Sequence, residues 1–343
     1  MGSKATSASR TSGASSPLKL AILGAGAWGT ALAVSLGARH EVSLWSRNAK
    51  TCADLSERRI GKYLPEAFLP VAIRVEPDLA RALRGADLAL VATATAGLRE
   101  TAAAVAAQRF DMPLAWACKG FDRETRELPH EIVAQVLPGA SQVGALSGPS
   151  FALEVARGQP TALVFASRDG AFATRTAAVL NSERLRIYSS TDVAGVELGG
   201  AVKNVIAIAA GIADGLALGR NARAALVTRG LAEIVRLGVA LGGHPETFMG
   251  LTGLGDLVLT CTGDLSRNRD VGLRLAKGQA LPAILAELGH VAEGVQSAEA
   301  VLELAKRHAI EMPISAAVHD VLFAGRSPAE AVRQLLSRDP RPE

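Results

Sequence analysis

Leu18-Lys19-Leu20-Ala21-Ile22-Leu23-Gly24-Ala25-Gly26-Ala27-Trp28-Gly29-Thr30-Ala31-Leu32-Ala33-Val34-Ser35-Leu36 is the stretch on which the fold turns. Leu18–Leu23 is apolar and short enough for a buried strand. Three glycines follow in G-x-G-x-x-G spacing, and Trp28–Leu36 then reads as a helix. In that context each glycine has a task. Gly24 permits a tight turn, Gly26 lets the backbone approach a pyrophosphate, and Gly29 lets helix pack close to strand. The helix start offers free N–H groups and the positive end of its dipole to phosphates. The uncharged run Leu20–Ala38 also resembles a signal or membrane segment. The glycines interrupt it, however, and the apolar core of a signal peptide is shorter, about 7–15 residues. No other uncharged apolar run reaches ~18 residues, so no membrane span is expected.

Outward from this stretch a βα rhythm continues. Glu41–Trp45 reads as the second strand. Ala86–Ala92, Pro113–Ala117, Gln142–Leu146, Thr161–Ala166 and Arg184–Tyr188 read as later strands, with helical patterns such as Arg126–Val136 between most of them. Strands alternating with helices predict a mostly parallel sheet with right-handed crossovers. The rhythm stops near Thr191, and the pattern is helical from there to about Leu336. The expected organisation is a Ser/Ala/Gly-rich disordered tail (1–17), an α/β Rossmann-type dinucleotide-binding domain (18–191), an all-α substrate domain (192–336) and a short tail (337–343).

The bulk numbers fit two such domains. The 343-residue chain is 49% hydrophobic and 20% charged, which allows a sizeable core and excludes wholesale disorder. The net charge of +4 includes no basic run of five residues, so a nucleic-acid partner is not expected. The three cysteines, Cys52, Cys118 and Cys261, are far apart, and neither they nor the six histidines have metal-ligand spacing. No metal site and no disulfide framework is expected, which favours a reducing compartment and a cytoplasmic location.

Three further segments carry possible chemistry. The second strand ends in Trp45-Ser46-Arg47-Asn48, without the acid that often receives an NAD ribose. Arg47 is either a solvated surface residue or a partner for a ribose 2′-phosphate, which implies a preference for NADP(H) or tolerance of both NAD and NADP, with NADPH favoured. Gly199–Gly211 is apolar nearly all round, yet it carries Lys203 and Asn204 in its middle, with Glu197 and Asp214 the nearest charges in sequence. Lys203 is either a snorkelling helix lysine or a desolvated amine whose lowered pKa suits a general acid–base. Ser266-Arg267-Asn268 reads as an N-cap and a first turn, either merely capped and solvated or an anion site.

Taken together, these segments resemble the bacterial-type NAD(P)-dependent glycerol-3-phosphate dehydrogenase family, over roughly Leu18 to Ser327. The resemblance rests on Gly24–Gly29, Lys119-Gly120, Gly148-Pro149-Ser150-Phe151-Ala152, the run Gly200–Asn221, Leu254-Gly255-Asp256-Leu257, Ser266-Arg267-Asn268 and Val291-Ala292-Glu293-Gly294. It implies reversible hydride transfer between NAD(P)H and dihydroxyacetone phosphate, giving sn-glycerol 3-phosphate for phospholipid synthesis. It implies Lys203 as proton acceptor and substrate contact, with Lys119, Gly148, Asp256, Ser266, Arg267 and Asn268 also around the substrate. Around the cofactor it implies Gly24, Gly26, Ala27, Trp28, Gly29, Arg47, Lys119, Ala152, Arg267, Val291 and Glu293. Asp256 is then the expected partner of Lys203, Lys119 adds positive potential, and Arg267 and Asn268 hold the phosphate. The chain departs from the family's usual Pro-Ser at Ala94-Thr95, where Thr95 keeps a hydroxyl. A homodimer is a possible assembly. The competing readings are a β-hydroxyacid dehydrogenase, which lacks the continuation at Asp214-Gly215 and Gly219–Asn221, and a non-catalytic NADP(H) sensor, which has no need of a buried lysine facing an anion site.

Overall fold

The computed structural model describes residues 16–288 and 292–338. Ten strands are present among them: β1 (Lys19–Leu23), β2 (Glu41–Trp45), β3 (Ile60–Gly61), β4 (Leu64–Phe68), β5 (Arg74–Glu76), β6 (Leu88–Val91), β7 (Leu114–Trp116), β8 (Val143–Ser147), β9 (Thr161–Ala166) and β10 (Leu185–Ser190). Eight form one sheet in the order β10-β9-β8-β7-β6-β1-β2-β5. Every pair in it is parallel except β8–β9. The order reverses at β1, which lies between β2 and β6, and a doubly wound sheet opens its ligand crevice at that point, beyond the strand ends. The strands are apolar on both faces because helices cover both, and Ala21, Ile22, Leu23, Leu44 and Ala89 are fully buried.

Two parts of this region depart from the sequence expectation. The β3–β4 hairpin and β5 fall in a stretch expected to hold neither. The helix expected over Arg126–Val136 starts only at Pro129, because Arg126 stands at φ +63° in a turn where its N–H donates to Asp122 O (3.2 Å).

After β10 the described chain is helical. Its centre is the helix Val193–Gly215, capped by Asp192, whose Oδ1 accepts from Gly195 N–H (2.8 Å). Every residue from Gly195 to Ala213 is buried. This helix is long and apolar enough to cross a membrane by composition, but its apolar window is wholly enclosed by protein, the ordinary situation of a core helix. The other helices wrap it. Gly211 permits the closest approach, since a Cβ there would stand 2.0 Å from Arg269 O on the helix Arg267–Ala276.

Candidate active site

The glycine loop is built as its spacing predicts. Gly24 sits at φ +126°, and its N–H donates to Trp45 O (2.9 Å), which ties the turn to β2. A Cβ on Gly29 would stand 1.8 Å from Gly24 O, so only glycine lets the helix Ala27–Leu36 lie this close to the turn. Gly26 differs. Its φ of −77° suits any residue, and a Cβ there meets nothing within 4 Å. Open space in front of Gly26, at a helix N-terminus, fits a pyrophosphate. Ala27 and Trp28 share an apolar cluster with Ala152 and Val155, so the loop Gly148–Ala152 meets the glycine loop despite its distance in sequence. Ala94 stands at φ −64°, ψ 157°, a backbone setting that proline also adopts, and Thr95 is buried in the turn that follows.

Arg47 lies beyond the end of β2 and forms an ion pair with Glu100, both side chains being largely exposed. The strand end carries no acid, and Asn48 caps the next helix, its Oδ1 accepting from Thr51 N–H (3.1 Å).

The second half of the site converges on one carboxylate. Asp256 is 1% exposed. A wide turn at Leu251–Gly255 delivers it to the first turn of the helix Asp256–Thr262, where the helix dipole favours negative charge. Its Oδ1 accepts from Lys203 Nζ (2.5 Å) and its Oδ2 from Lys119 Nζ (2.8 Å). Lys203 Nζ also donates to Thr260 Oγ1 (2.9 Å), and Lys119 Nζ to Gly148 O (2.8 Å). Gly200 makes room for the Lys119 stem, since a Cβ there would lie 3.5 Å from Lys119 Cδ. Two ammonium groups share one carboxylate, which leaves a net positive charge for an anionic ligand or a developing oxyanion. Burial pulls the Lys203 amine down from its ordinary 10.5 to about 8, against the opposing pull of Asp256 and with help from Lys119. Glu293 stands in the same field. Burial raises its carboxyl, and Arg267, Lys119 and Lys203 hold it back.

Ser266 caps the helix Arg267–Ala276, its Oγ accepting from Arg269 N–H (3.3 Å). Arg267 is exposed at that helix start and forms no ion pair with a described residue. Asn268 is turned inward. Its Nδ2 donates to Asn204 Oδ1 (3.0 Å) and its Oδ1 accepts from Gly294 N–H (3.0 Å), which brings Glu293 up beside Lys203's neighbour.

The structure thus brings Lys119, Gly148, Lys203 and Asp256 into one hydrogen-bonded network, with Asn268 next to it and Glu293 and Arg267 in its field. Arg47 takes no part in that network, and Val291 lies outside the described residues. Glu197 and Asp214, the acids nearest Lys203 in sequence, have other partners: Trp116 and His130 for one, Arg223 and Arg269 for the other. Sequence reading assigned no role to Thr260 or Asn204. Thr260 stands four residues after Asp256, on the same helix face, and that spacing was the available signal. The thiols of Cys52, Cys118 and Cys261 are buried and free, and burial raises all three above the ordinary thiol range. Among the described residues no group of three His, Cys, Asp or Glu side chains could hold a metal ion.

Known proteins share both halves of this architecture. The model of the NAD-dependent glycerol-3-phosphate dehydrogenase N-terminus matches residues 19–173, and that of its C-terminus matches 192–333. A glycerol-3-phosphate dehydrogenase [NAD(P)+] of Nitrosospira multiformis is 55% identical over 331 residues, covering 95% of this chain and 99% of the relative. The protein of the same name from Thiobacillus denitrificans is 56% identical over 327 residues, covering 95% and 100%. The crystal structure of glycerol-3-phosphate dehydrogenase from Coxiella burnetii superposes with a TM-score of 0.89 at 41% identity, covering 94% of this chain and 99% of that one. The chain belongs to the NAD-dependent glycerol-3-phosphate dehydrogenase family.

Proposed function

We propose that this chain is an NAD(P)-dependent sn-glycerol-3-phosphate dehydrogenase in which Lys203 moves the proton that accompanies hydride transfer. One observation carries the reading: a buried lysine, its pKa lowered to about 8, shares a carboxylate with a second lysine that is held by Gly148 of the loop packing on the glycine turn. When bound, the reduced nicotinamide supplies a hydride to C2 of dihydroxyacetone phosphate. Protonated Lys203 donates a proton to the oxygen on C2, and in the reverse direction neutral Lys203 accepts it. Asp256 orients the amine, and Lys119 adds positive field at the reacting oxygen. Arg267, Ser266 and the free N–H groups of their helix start hold the phosphate, Asn268 braces that helix against Asn204, and Gly148 anchors Lys119. Fixing the phosphate fixes C2 for reaction.

Gly24, Gly26, Ala27, Trp28 and Gly29 hold the dinucleotide, with Ala152, Lys119, Arg267, Val291 and Glu293 completing its site. Arg47 receives the 2′-phosphate of NADPH after leaving Glu100, which makes NADPH the favoured cofactor. The division into a dinucleotide domain (18–191) and a substrate domain (192–336) is supported by the switch from strands to helices after Ser190. A cytoplasmic homodimer is the proposed working form. Leu218, Val239 and Leu336 on the helical half are 40%, 45% and 79% exposed, as an apolar contact between copies requires; light scattering of the purified protein tests it. The decisive assay follows reduced-nicotinamide absorbance with dihydroxyacetone phosphate and each cofactor in turn. Turnover of β-hydroxyacids but not of the phosphate ester overturns the proposal.

A further inference from the structure

Glu197 is a buried carboxylate on the lysine helix itself, and the mechanism above does not use it. It is 5% exposed and has no Lys or Arg partner among the described residues. All its donors come from the strand-rich half. Its Oε1 accepts from Trp116 Nε1 (2.6 Å). Its Oε2 meets His130 Nδ1 (2.6 Å) and accepts from His130 N–H (3.3 Å). Burial lowers His130, but the Glu197 carboxylate outweighs it and holds the imidazole above its ordinary value; Glu131 works in the same direction and Arg168 against it.

Trp116 ends β7, three residues before Lys119. Glu197 precedes Lys203 by six residues, about 9 Å along the helix and on a different face. The helix is therefore pinned at two points to the segment that delivers Lys119. Glu197 makes one attachment through Trp116, and Asp256 makes the other by joining the two lysines. The two attachments close a ring that runs through both lysines.

We propose that Glu197 is a positioning residue: its length sets the register of the lysine helix against β7, and so the placement of Lys203 and Lys119 around Asp256. The inference rests on the reading of Lys203 as the proton-transfer group. A role in register depends on side-chain length more than on charge. Glu197→Asp keeps the charge and shortens the reach by one methylene. Glu197→Gln keeps the reach: its oxygen can still accept from Trp116, and its NH2 can donate to the neutral His130 ring, at the loss of the longer contact from His130 N–H.

The experiment measures kcat, KM for each substrate and melting temperature for Glu197→Asp, Glu197→Gln, Trp116→Phe and Lys203→Ala in the full chain. Misplacement by a fraction of an ångström predicts that Glu197→Asp loses about tenfold or more in kcat, with cofactor KM within about twofold of wild type. Glu197→Gln is expected to keep at least about half of kcat, and Trp116→Phe to lose about threefold or more, since it removes one of the attachments. Wild-type kcat in Glu197→Asp, even with a lowered melting temperature, overturns the inference. So does a loss in Glu197→Gln as large as that in Glu197→Asp, because a side chain of the same length would then have failed to keep the register. If Glu197→Asp does not fold, Trp116→Phe decides on the same terms. High activity in Lys203→Ala overturns the proton-transfer reading instead, so the two failures are distinguishable.

Discussion

At the scale of single residues, what matters is how far burial can depress an amine before its partner stops it. Lys203 is 6% exposed, and a buried ammonium is costly unless paired. Asp256 pairs it but divides its two oxygens between two lysines, so the amine settles at about 8. The sign of the pH dependence follows. Reduction needs the protonated amine, so kcat/KM for dihydroxyacetone phosphate is expected to fall above about pH 8. Oxidation needs the neutral amine, so kcat/KM for glycerol 3-phosphate is expected to rise up to about pH 8. Profiles measured in both directions check this, and parallel profiles sink it. Lys203→Ala is expected to lower turnover by at least ~10²-fold, the usual scale for a positioned acid–base group. Arg267→Ala acts differently. It removes charged contacts to the phosphate of about 1.5–3 kcal/mol each, so substrate KM is expected to rise tenfold or more. The sequence made Lys203 conspicuous, as a charge in an apolar helix. The lysine's partner 53 residues further on was reached only through the family resemblance, because that pairing is made by tertiary packing and leaves no mark in the helix itself.

At the scale of elements, the G-x-G-x-x-G turn separates a folding role from a binding role within six residues. Alanine at 29 forces a methyl into Gly24 O, whereas alanine at 26 points a methyl into open space. Gly29→Ala is therefore expected to lower the melting temperature. Gly26→Ala is expected to melt like wild type and to bind NADPH at least about tenfold more weakly, the methyl taking space the pyrophosphate needs. Calorimetry and cofactor titration on both variants check the pair; tight NADPH binding by Gly26→Ala removes the loop from the cofactor site. Elements with strong local signals were legible in the sequence: the apolar strands β1, β2 and β9, the glycine turn, and the Ser266 cap. The missed elements have weak ones. β5 is three residues long and charged at both ends, and it is a strand only because β2 offers it an edge. The turn at Arg126 depends on a positive φ that no glycine announced.

At the scale of the whole molecule, the lysine helix belongs to both halves. Val193 and Val196, in its first turns, pack in the core beneath the sheet with Leu98, Leu114 and Trp116. From Leu198 onward the same helix is the centre of the second core, with Ile234, Phe248 and Val301. The composition change near Thr191 marks where the chain leaves the sheet, but the packing boundary runs through the helix itself. The register contacts of Glu197 lie at that crossing, and those of Asp256 lie less than two turns further on, at Lys203. Neither core is complete without this helix, so the halves are expected to unfold together rather than one after the other. Calorimetry of the full chain should then show one transition, with its van't Hoff enthalpy equal to the calorimetric enthalpy. A cofactor at 100 times its Kd should stabilise that transition by about 2.7 kcal/mol, although the glycine loop lies in the first half only. Two resolved transitions, with NADPH moving only one of them, would mean that the helix is anchored to a single core.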